Sequence, residues 1–222
     1  MDNVNVIDGK HTEIIQAPRN SGSLFFNYKK TFSVVLLALV DANYKVTIID
    51  VGGYGKSSDG GLSTRSILEK SLEAKTLYIP NSKLPPNSEE PLPFIILGDE
   101  AFPLNRYLLR PYPGVSALND EGKQIYFYIL LRARWAVENA FGILTQKFRL
   151  FYGWIQLSPE NADKVVLAAC VLHTYLRNYV SVEDCVIANT DAPSQLSYVT
   201  TFRRSGGGAS EEAIRVRKKY RQ

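Results

Sequence analysis

Three acidic residues of this 222-residue chain stand where carboxylates could act together on a phosphate ester. Asp8 and Asp99 each follow an apolar run that is typical of a β-strand, and Glu138 lies in a long segment with helical periodicity. Carboxylates from separate elements can hold two divalent metals about 3.5–4 Å apart and promote the cleavage of a phosphodiester bond. Because hard oxygen ligands suit Mg²⁺ and Mn²⁺, a divalent metal is the expected cofactor.

Each of these acidic residues also has a purely structural interpretation. Asp8 precedes a glycine, and Asp-Gly pairs are common in turns. The same turn role is open to Asp99, although the apolar run before it favours a position at the edge of a sheet. Glu138 has the spacing to pair with Arg134 one helical turn earlier. Singly, each residue can be structural, and only the three together favour a metal site.

The elements that would position these residues alternate between strands and helices. Strands are predicted near residues 4–7, 32–40, 45–51 and 94–97, and a glycine-rich loop is predicted at 52–61. Helices are predicted near residues 63–75, 106–109, 123–150 and 158–179. The third helix has an apolar face made of Leu130, Ala133, Val137, Phe141, Leu144 and Phe148. The last helix is predicted to bury Val165, Val166, Ala169, Leu172 and Leu176.

Other polar residues compete for a functional role. Asp41 also ends an apolar strand, but we interpret it as the turn of a hairpin. His11 could contact substrate or could be a histidine on the strand surface, and His173 is predicted to be structural. The aromatic residues near the third helix are predicted to pack in the core rather than to stack on bases. They are Tyr126, Tyr128, Trp135, Phe141 and Phe148.

Composition and charge restrict the classes of protein. A net charge of +4 suits a polyanionic partner, although the signal is weak. The longest apolar run, residues 32–40, is far shorter than the roughly 20 residues that a membrane helix needs. The two cysteines, Cys170 and Cys185, have no metal-binding spacing and favour a reducing compartment. We therefore expect no membrane partner.

Five segments that occur in order resemble the PIF/Harbinger transposase family and cover about residues 4–179. They are Ile7-Asp8-Gly9-Lys10-His11, Gly98-Asp99-Glu100-Ala101-Phe102-Pro103-Leu104, Arg110-Pro111-Tyr112-Pro113, Val137-Glu138-Asn139-Ala140-Phe141-Gly142-Ile143-Leu144 and Ala168-Ala169-Cys170-Val171-Leu172-His173. The resemblance implies an α/β fold, the ribonuclease H-like catalytic core of a DDE transposase, with a mixed sheet flanked by helices. It also implies that Asp8, Asp99 and Glu138 form the metal-binding triad, and that Asp59 is a further metal contact.

The chain is predicted to have two parts, a folded domain and a C-terminal tail. Residues 1–180 are predicted to form the DDE endonuclease domain, and residues 181–222 a flexible, basic C-terminal tail. Basic residues that could follow a phosphate backbone are Lys29, Lys30, Arg132, Arg134, Lys147, Arg149, Arg203, Arg204 and the cluster at 215–221. The alternative for the tail is a solvated charged face. Residues 217–219 resemble a weak nuclear localisation signal, so the nucleus is the expected location, with the cytoplasm left open.

The chain departs from the family pattern at three places. Apolar residues occupy 126–131, where family members carry a polar stretch with an asparagine and an extra arginine. Thr174 stands where family members usually have asparagine after the leucine-histidine pair. No helix-turn-helix segment precedes Asp8, so we expect a separate partner protein to recognise the DNA target.

Three functions remain open on the sequence. The first is a metal-dependent DNA endonuclease that descends from a transposase. The second is a domesticated scaffold that binds DNA or protein without cleaving DNA, which the altered 126–131 stretch favours. The third is a decaying transposon fragment. The sequence leaves the oligomeric state undetermined.

Overall fold

The strand Ser33–Val40 (β2) lies at the centre of the sheet region that forms the core, and all eight of its residues are buried. Its β-branched and leucine-rich sequence predicts such a position in the middle of a sheet. The structure is a computed structural model that describes residues 4–57, 61, 66–74, 76–77, 82, 84, 91–113, 120–179 and 209–220.

Four further strands complete a mixed sheet around β2. They are β1 (Val4–Glu13), β3 (Val46–Tyr54), β4 (Ile95–Leu97) and β5 (Leu108–Leu109), in the spatial order β3-β2-β1-β4-β5. The first three strands pair antiparallel, whereas β1 pairs parallel with β4, and β4 parallel with β5. This sheet with flanking helices confirms the predicted α/β, ribonuclease H-like fold.

Helices cover both faces of the sheet. The helices are α1 (Ile67–Glu73), α2 (Glu121–Lys147), α3 (Pro159–Leu176) and α4 (Glu211–Lys219), and a short 3₁₀ turn (Arg149–Tyr152) follows α2. The larger core lies between the sheet and α2, α3 and α4, and the smaller core lies between the sheet and α1. Val6, Ile95 and Leu97 face the larger core, whereas Ile7 and Ile96 face the smaller one. Side chains of β1 and β4 therefore alternate between the two faces.

The prediction of a short helix at residues 106–109 is wrong, because this segment contains the edge strand β5. The side-chain oxygen of Asn105 accepts hydrogen bonds from the backbone N–H groups of Tyr107 and Leu108, at 2.9 and 2.7 Å, and so turns the chain. Leu108 then enters the smaller core and Leu109 the larger one. Burial on alternate faces requires a strand, and a helix would not place two consecutive leucines on opposite sides.

The glycine-rich loop predicted at residues 52–61 begins later in the structure, since β3 continues to Tyr54. Val35 pairs with Gly53 and Leu36 with Val51, so Gly52 is the extra residue of a β-bulge. Its φ of +102° favours glycine, and a Cβ atom there would lie 2.8 Å from the Oδ2 atom of Asp163 on α3. Two glycines of the loop therefore belong to the sheet and admit close packing of α3.

The apolar face predicted for the long helix is confirmed. Leu130, Val137, Phe141 and Leu144 are buried, and Ala133 and Phe148 pack partly against the same core. Of the aromatic residues predicted to pack, Tyr126 is buried, but Tyr128 and Trp135 are more than half exposed, so the prediction is wrong for those two. They lie on the side of α2 that faces away from the sheet.

The face of α3 differs in part from the prediction. Val166 and Ala169 are buried as expected, whereas Val165 and Leu172 are exposed. The sheet instead covers the residues that recur at steps of three and four on one side, which are Ala162, Val166, Ala169, Cys170 and His173. Apolar side chains on the opposite side therefore stay in contact with solvent among the described residues.

The C-terminal segment differs from the expected flexible tail where the structure describes it. Residues Glu211–Lys219 form α4, capped by the hydroxyl of Ser210, which accepts a hydrogen bond from the N–H of Ala213 at 3.2 Å. Ala213 is fully buried, and the Tyr220 hydroxyl donates to the carbonyl of Pro93. The many charged residues of this segment made its apolar side hard to recognise in the sequence. Residues 180–208 lie outside the described residues, so the boundary at 180 stays a prediction.

The C-terminal end of α3 fixes the turn between β2 and β3. Because a carbonyl oxygen only accepts, the His173 Nε2–H donates to the backbone oxygen of Tyr44 at 2.8 Å. The Thr174 hydroxyl donates to the carbonyl of Val46 at 3.0 Å and accepts from its N–H at 3.1 Å. The predicted structural role of His173 is confirmed, and the unusual Thr174 has a role in binding the hairpin.

The buried His173 makes stability depend on pH. Burial lowers the pKa of His173 below its ordinary value of 6.5. The unfolded chain therefore binds a proton at a higher pH than the native protein, and stability is complete above pH 6.5 and decreases as the pH falls below it. We expect urea unfolding between pH 7.5 and 5.5 to show this loss, and to show less of it in His173→Gln. An equal loss in the variant would mean that His173 is not responsible.

Candidate active site

Asp8 lies on β1, and Asp99 follows the neighbouring parallel strand β4. The two strands pair with Val6 level with Leu97, the last residue of β4. Asp8 lies two residues further along β1, so its side chain falls on the same face as Val6, the face on which α2 packs. Asp99 lies two residues beyond the end of β4, at the start of the turn that follows this strand. The pairing of β1 with β4 thus brings the segments that carry the two aspartates to the same region of the sheet.

Each aspartate also makes a local hydrogen bond to the backbone. The Oδ1 atom of Asp8 accepts from the N–H of Gly9 at 2.8 Å, and the Oδ1 atom of Asp99 accepts from the N–H of Ala101 at 2.8 Å. The turn interpretation is therefore correct for Asp99 but wrong for Asp8, because Asp8 and Gly9 lie inside β1 and pair with β2. Asp41 differs, because its Oδ1 atom binds the N–H groups of Asn43 and Lys45 in the β2–β3 turn. The interpretation of Asp41 as a turn residue is confirmed.

Arg134 joins Glu138 to Asp8. Its Nη2 atom lies 3.8 Å from the Oδ2 atom of Asp8 and 3.7 Å from the Oε1 atom of Glu138. The i,i+4 spacing predicts the pair with Glu138, and that pair is present. The contact with Asp8 could not be predicted, because it depends on how α2 crosses β1. One guanidinium nitrogen therefore lies within ion-pair distance of two of the three proposed metal ligands.

A fourth acid, Glu100, belongs to the same cluster. Burial raises the pKa of Glu100, and the neighbouring Asp99 raises it further, whereas Arg110 and Arg134 act in the opposite direction. The Arg110 guanidinium donates to the backbone oxygens of Glu100 and Phe102, at 3.4 and 3.1 Å. Sequence reasoning overlooked Glu100 and Arg110, although the adjacent Asp99-Glu100 pair was a signal of concentrated negative charge.

The donor chemistry of this cluster fits a divalent cation. The carboxylate oxygens are hard ligands, and a cationic nitrogen already lies between two of them. Within the part of the chain that the structure describes, no three His, Cys, Asp or Glu side chains lie close enough together to form a metal site. The structure thus links Asp8 to Glu138 through Arg134 and places Asp99 just beyond the strand that pairs with β1, without closing a three-ligand cage. Asp59 lies outside the described residues.

A shallow cleft opens beside Glu138. It has a volume of about 440 Å³ and is lined by Lys10, Glu138, Phe141, Gly142, Thr145, Gln146 and Tyr152. The Nζ atom of Lys10 lies 5.8 Å from the centre of the Phe141 ring. Burial lowers the pKa of Lys10, as does the nearby Lys29. Lys10 gives the cleft a positive wall next to the acidic cluster, where a phosphate chain could lie.

His11 lies on the opposite side of β1 from Lys10, and its side chain makes structural contacts. Its Nδ1 atom is 2.9 Å from the Oγ atom of Ser33, and its ring meets that of Tyr28 edge to face at 5.5 Å. Burial lowers the pKa of His11, and Lys29 lowers it further. These contacts support the interpretation of His11 as a structural residue of the strand.

Arg134 should influence how the carboxylates bind a cation. We expect Arg134→Gln to bind Mn²⁺ roughly tenfold more tightly than wild type, because a guanidinium this close to two carboxylates opposes a second cation by on the order of 1 kcal/mol or more. Isothermal titration calorimetry measures this change. Arg132→Gln is the matched control, since Arg132 is exposed and lies over Tyr128 on the same helix. Weaker binding by Arg134→Gln would show that Arg134 holds the carboxylates in position instead.

Comparison with known proteins places this geometry in a family. A curated relative, the Arabidopsis thaliana "Protein ALP1-like", is 25% identical over 205 residues, which are 91% of this chain and 48% of the relative. The chain therefore spans about half the length of that relative. No solved structure matches the chain.

The family match includes the whole acidic cluster. The DDE superfamily endonuclease family matches residues 7–174, which contain Asp8, Asp59, Asp99 and Glu138 as well as the five motifs of the sequence resemblance. The match confirms that resemblance and covers well over half of the chain. The chain belongs to the DDE superfamily endonuclease family.

Proposed function

We propose that this protein is a metal-dependent DNA endonuclease descended from a transposase. The observation that carries the proposal is the pair of contacts that Arg134 makes with Asp8 and Glu138, together with the position of Asp99 just beyond the strand that pairs with β1. Asp8, Asp99 and Glu138 would hold Mg²⁺ or Mn²⁺, and Asp59 would be a further contact. When bound, such metals supply an activated water and stabilise the leaving oxygen.

The chain's own residues would divide the remaining work. Asp8 extends from a strand of the sheet, and Asp99 is held at the start of the turn after β4 by hydrogen bonds with the N–H groups of Ala101 and Phe102. Glu138 extends from α2 and is half exposed, which leaves it accessible to a ligand that enters from solvent. Lys10 and Lys29 would attract the DNA backbone toward the cleft beside Glu138. The attacking group would be water or a DNA 3′-hydroxyl.

Metal binding and plasmid nicking test the proposal together. Wild-type protein should bind Mn²⁺ in calorimetry and convert supercoiled plasmid to nicked circles in Mn²⁺ but not in EDTA. Asp99→Ala should lose most of the binding, because it removes one of the three proposed carboxylate ligands. A folded wild-type protein that neither binds Mn²⁺ nor nicks plasmid, including in the presence of substrate DNA, would contradict the proposal.

Targeting and location complete the proposed function. We propose that DNA is the substrate, that a separate partner protein selects the sequence, and that the protein acts in the nucleus. Arg217 belongs to α4 and packs against the ring of Tyr112, which counts against a linear localisation signal at residues 217–219. In the described part of the chain, no helix combines the length and apolar composition needed to cross a membrane.

A second candidate function is a scaffold without nuclease activity. Apolar side chains of α2 are exposed at Ile125, Tyr128 and Ile129, within and next to the segment that departs from the family pattern. Exposed apolar residues grouped on one helix suit a protein partner. Recovery of a DNA-binding protein by wild type but not by Tyr128→Asp, from a protein that nicks no plasmid, would favour this function over the nuclease.

A further inference from the structure

The C-terminal helix α4 brings a cation onto a buried tyrosine near the start of α2. The guanidinium carbon of Arg217 lies 3.9 Å from the centre of the Tyr112 ring, which is close stacking. The Nζ atom of Lys123 lies 5.5 Å from the centre of the same ring. Tyr112 also meets the ring of Tyr126 edge to face at 5.4 Å. An aromatic platform thus holds cations from two separate helices.

Polar atoms of the stacked pair lack the partners that burial demands. Tyr112 is only 7% exposed, and its hydroxyl oxygen is buried without a hydrogen-bond partner among the described residues. The Nε atom of Arg217 is buried and lacks a partner in the same part of the structure. Buried polar groups are nearly always hydrogen-bonded, so two unpartnered atoms make this stacked pair unusual. Arg217 as a whole is partly exposed, so its guanidinium is the part of the pair that a ligand in solvent could contact.

The charges around Tyr112 select an anion as that ligand. Arg110 lies within electrostatic range of Arg217, and burial and Arg217 together lower the pKa of Arg110. The acids near this group are already engaged: Asp120 pairs with Lys123 at 3.7 Å, and Glu100 lies beside Arg110. Arg217 has no ion pair with a described acid, since the acids of α4 pair with Arg106 and Arg215. An anion would relieve the repulsion between Arg110 and Arg217.

The basic residues around Tyr112 are linked to the acidic site through Arg110. Arg110 donates to the backbone oxygen of Glu100, the residue that follows Asp99. The cluster of Arg110, Tyr112, Lys123 and Arg217 therefore contacts the residue next to Asp99, the proposed metal ligand that follows β4. A polymer of phosphates that passes the carboxylates could reach it.

We propose that Arg110, Tyr112, Lys123 and Arg217 form a phosphate-binding subsite that holds the DNA strand beside the acidic cluster. The inference rests on the proposed function, because it takes DNA as the substrate. Arg217 and Lys123 would supply charged donors to phosphate oxygens from two helices, and the Tyr112 ring would hold the Arg217 guanidinium in place by stacking. Phosphate contacts of this kind give affinity and register without sequence choice.

The test compares two arginines of the same helix. Binding of a fluorescein-labelled 30-base-pair duplex is measured by anisotropy in EDTA at several KCl concentrations. Arg217→Gln should bind about tenfold more weakly and reduce the slope of log K against log salt by about one. Arg215→Gln is the matched control, since Arg215 is two residues away, exposed and paired with Glu211. Equal effects of the two substitutions, or no effect of Arg217→Gln, would overturn the inference.

A second variant removes the other cation near the Tyr112 ring. The Nζ atom of Lys123 lies 5.5 Å from the centre of that ring, so Lys123→Gln should weaken duplex binding about three- to tenfold. Unchanged duplex affinity in Lys123→Gln would overturn the inference even if Arg217→Gln failed to fold. Inorganic phosphate at 10 mM should compete with the duplex in wild type more than in Arg217→Gln at matched ionic strength.

The same titrations separate this inference from the proposed function. If wild type binds the duplex and both variants bind it equally well, the subsite is wrong and the nuclease proposal is unaffected. If wild type binds no duplex under any salt condition, the DNA substrate and the subsite are both wrong. Weaker binding by both variants with intact metal binding would support the subsite independently of catalysis.

Discussion

Glu138→Gln is expected to reduce the rate of Mn²⁺-dependent plasmid nicking by at least about 10³-fold, since losing one member of a catalytic group usually removes most of the rate enhancement. Glutamine keeps the shape of the side chain but not the anionic oxygens that a divalent metal prefers. Because Glu138 is half exposed, its removal should change the free energy of unfolding little. Initial rates of nicking under excess enzyme measure the effect.

A matched control lies on the same helix. Glu121 occupies the first turn of α2, is exposed, and lies almost five turns from Glu138. Glu121→Gln therefore makes the same chemical change away from the cluster and should leave the nicking rate within about twofold of wild type. Equal rates for wild type and Glu138→Gln would show that Glu138 is not a ligand, and the ion pair with Arg134 would then be its whole role.

Strong periodic patterns accounted for most of the fold that could be predicted. The continuous apolar run of β2 and the spacing of Leu130, Val137 and Leu144 each admit one arrangement, because burial of a strand or a helix face depends on local periodicity. Short elements were harder to predict. β5 has two residues, and the side chain of Asn105 and the vacant edge of β4 decide its conformation.

The candidate site could likewise be predicted only in part from the sequence. Asp8, Asp99 and Glu138 could be chosen from their motifs, because each stands next to a strand or helix pattern. The contact between Arg134 and Asp8 depends on the packing of α2 on β1, and no sequence period reports it. The stacking of Arg217 on Tyr112 joins residues more than a hundred positions apart, in a segment whose charges resemble those of a solvated tail. Tertiary contacts of charged residues therefore account for the site features that the sequence did not reveal.

Phe102→Ala is expected to lower the free energy of unfolding by about 3–5 kcal/mol, the usual cost of truncating a buried phenylalanine. Phe102 is fully buried in the core beneath α1, and a Cβ atom at Gly98 would lie only 3.0 Å from its ring. Its N–H donates to the carbonyl of Asp99 at 3.3 Å. The ring therefore fills the space under the turn that carries Asp99. Urea unfolding followed by circular dichroism measures the change.

This substitution also tests whether the core positions the acidic cluster. Phe26→Ala is the control, since Phe26 is 40% exposed and should cost no more than about 1 kcal/mol. Phe102→Leu keeps an apolar side chain, so it should fold and still weaken Mn²⁺ binding if the turn at Gly98 and Asp99 shifts toward the space left behind. Normal Mn²⁺ affinity in Phe102→Leu, with reduced stability, would mean that the hydrogen bonds of Asp99 hold the carboxylate without help from the ring. The two measurements thus separate what Phe102 contributes to the fold from what it contributes to the site.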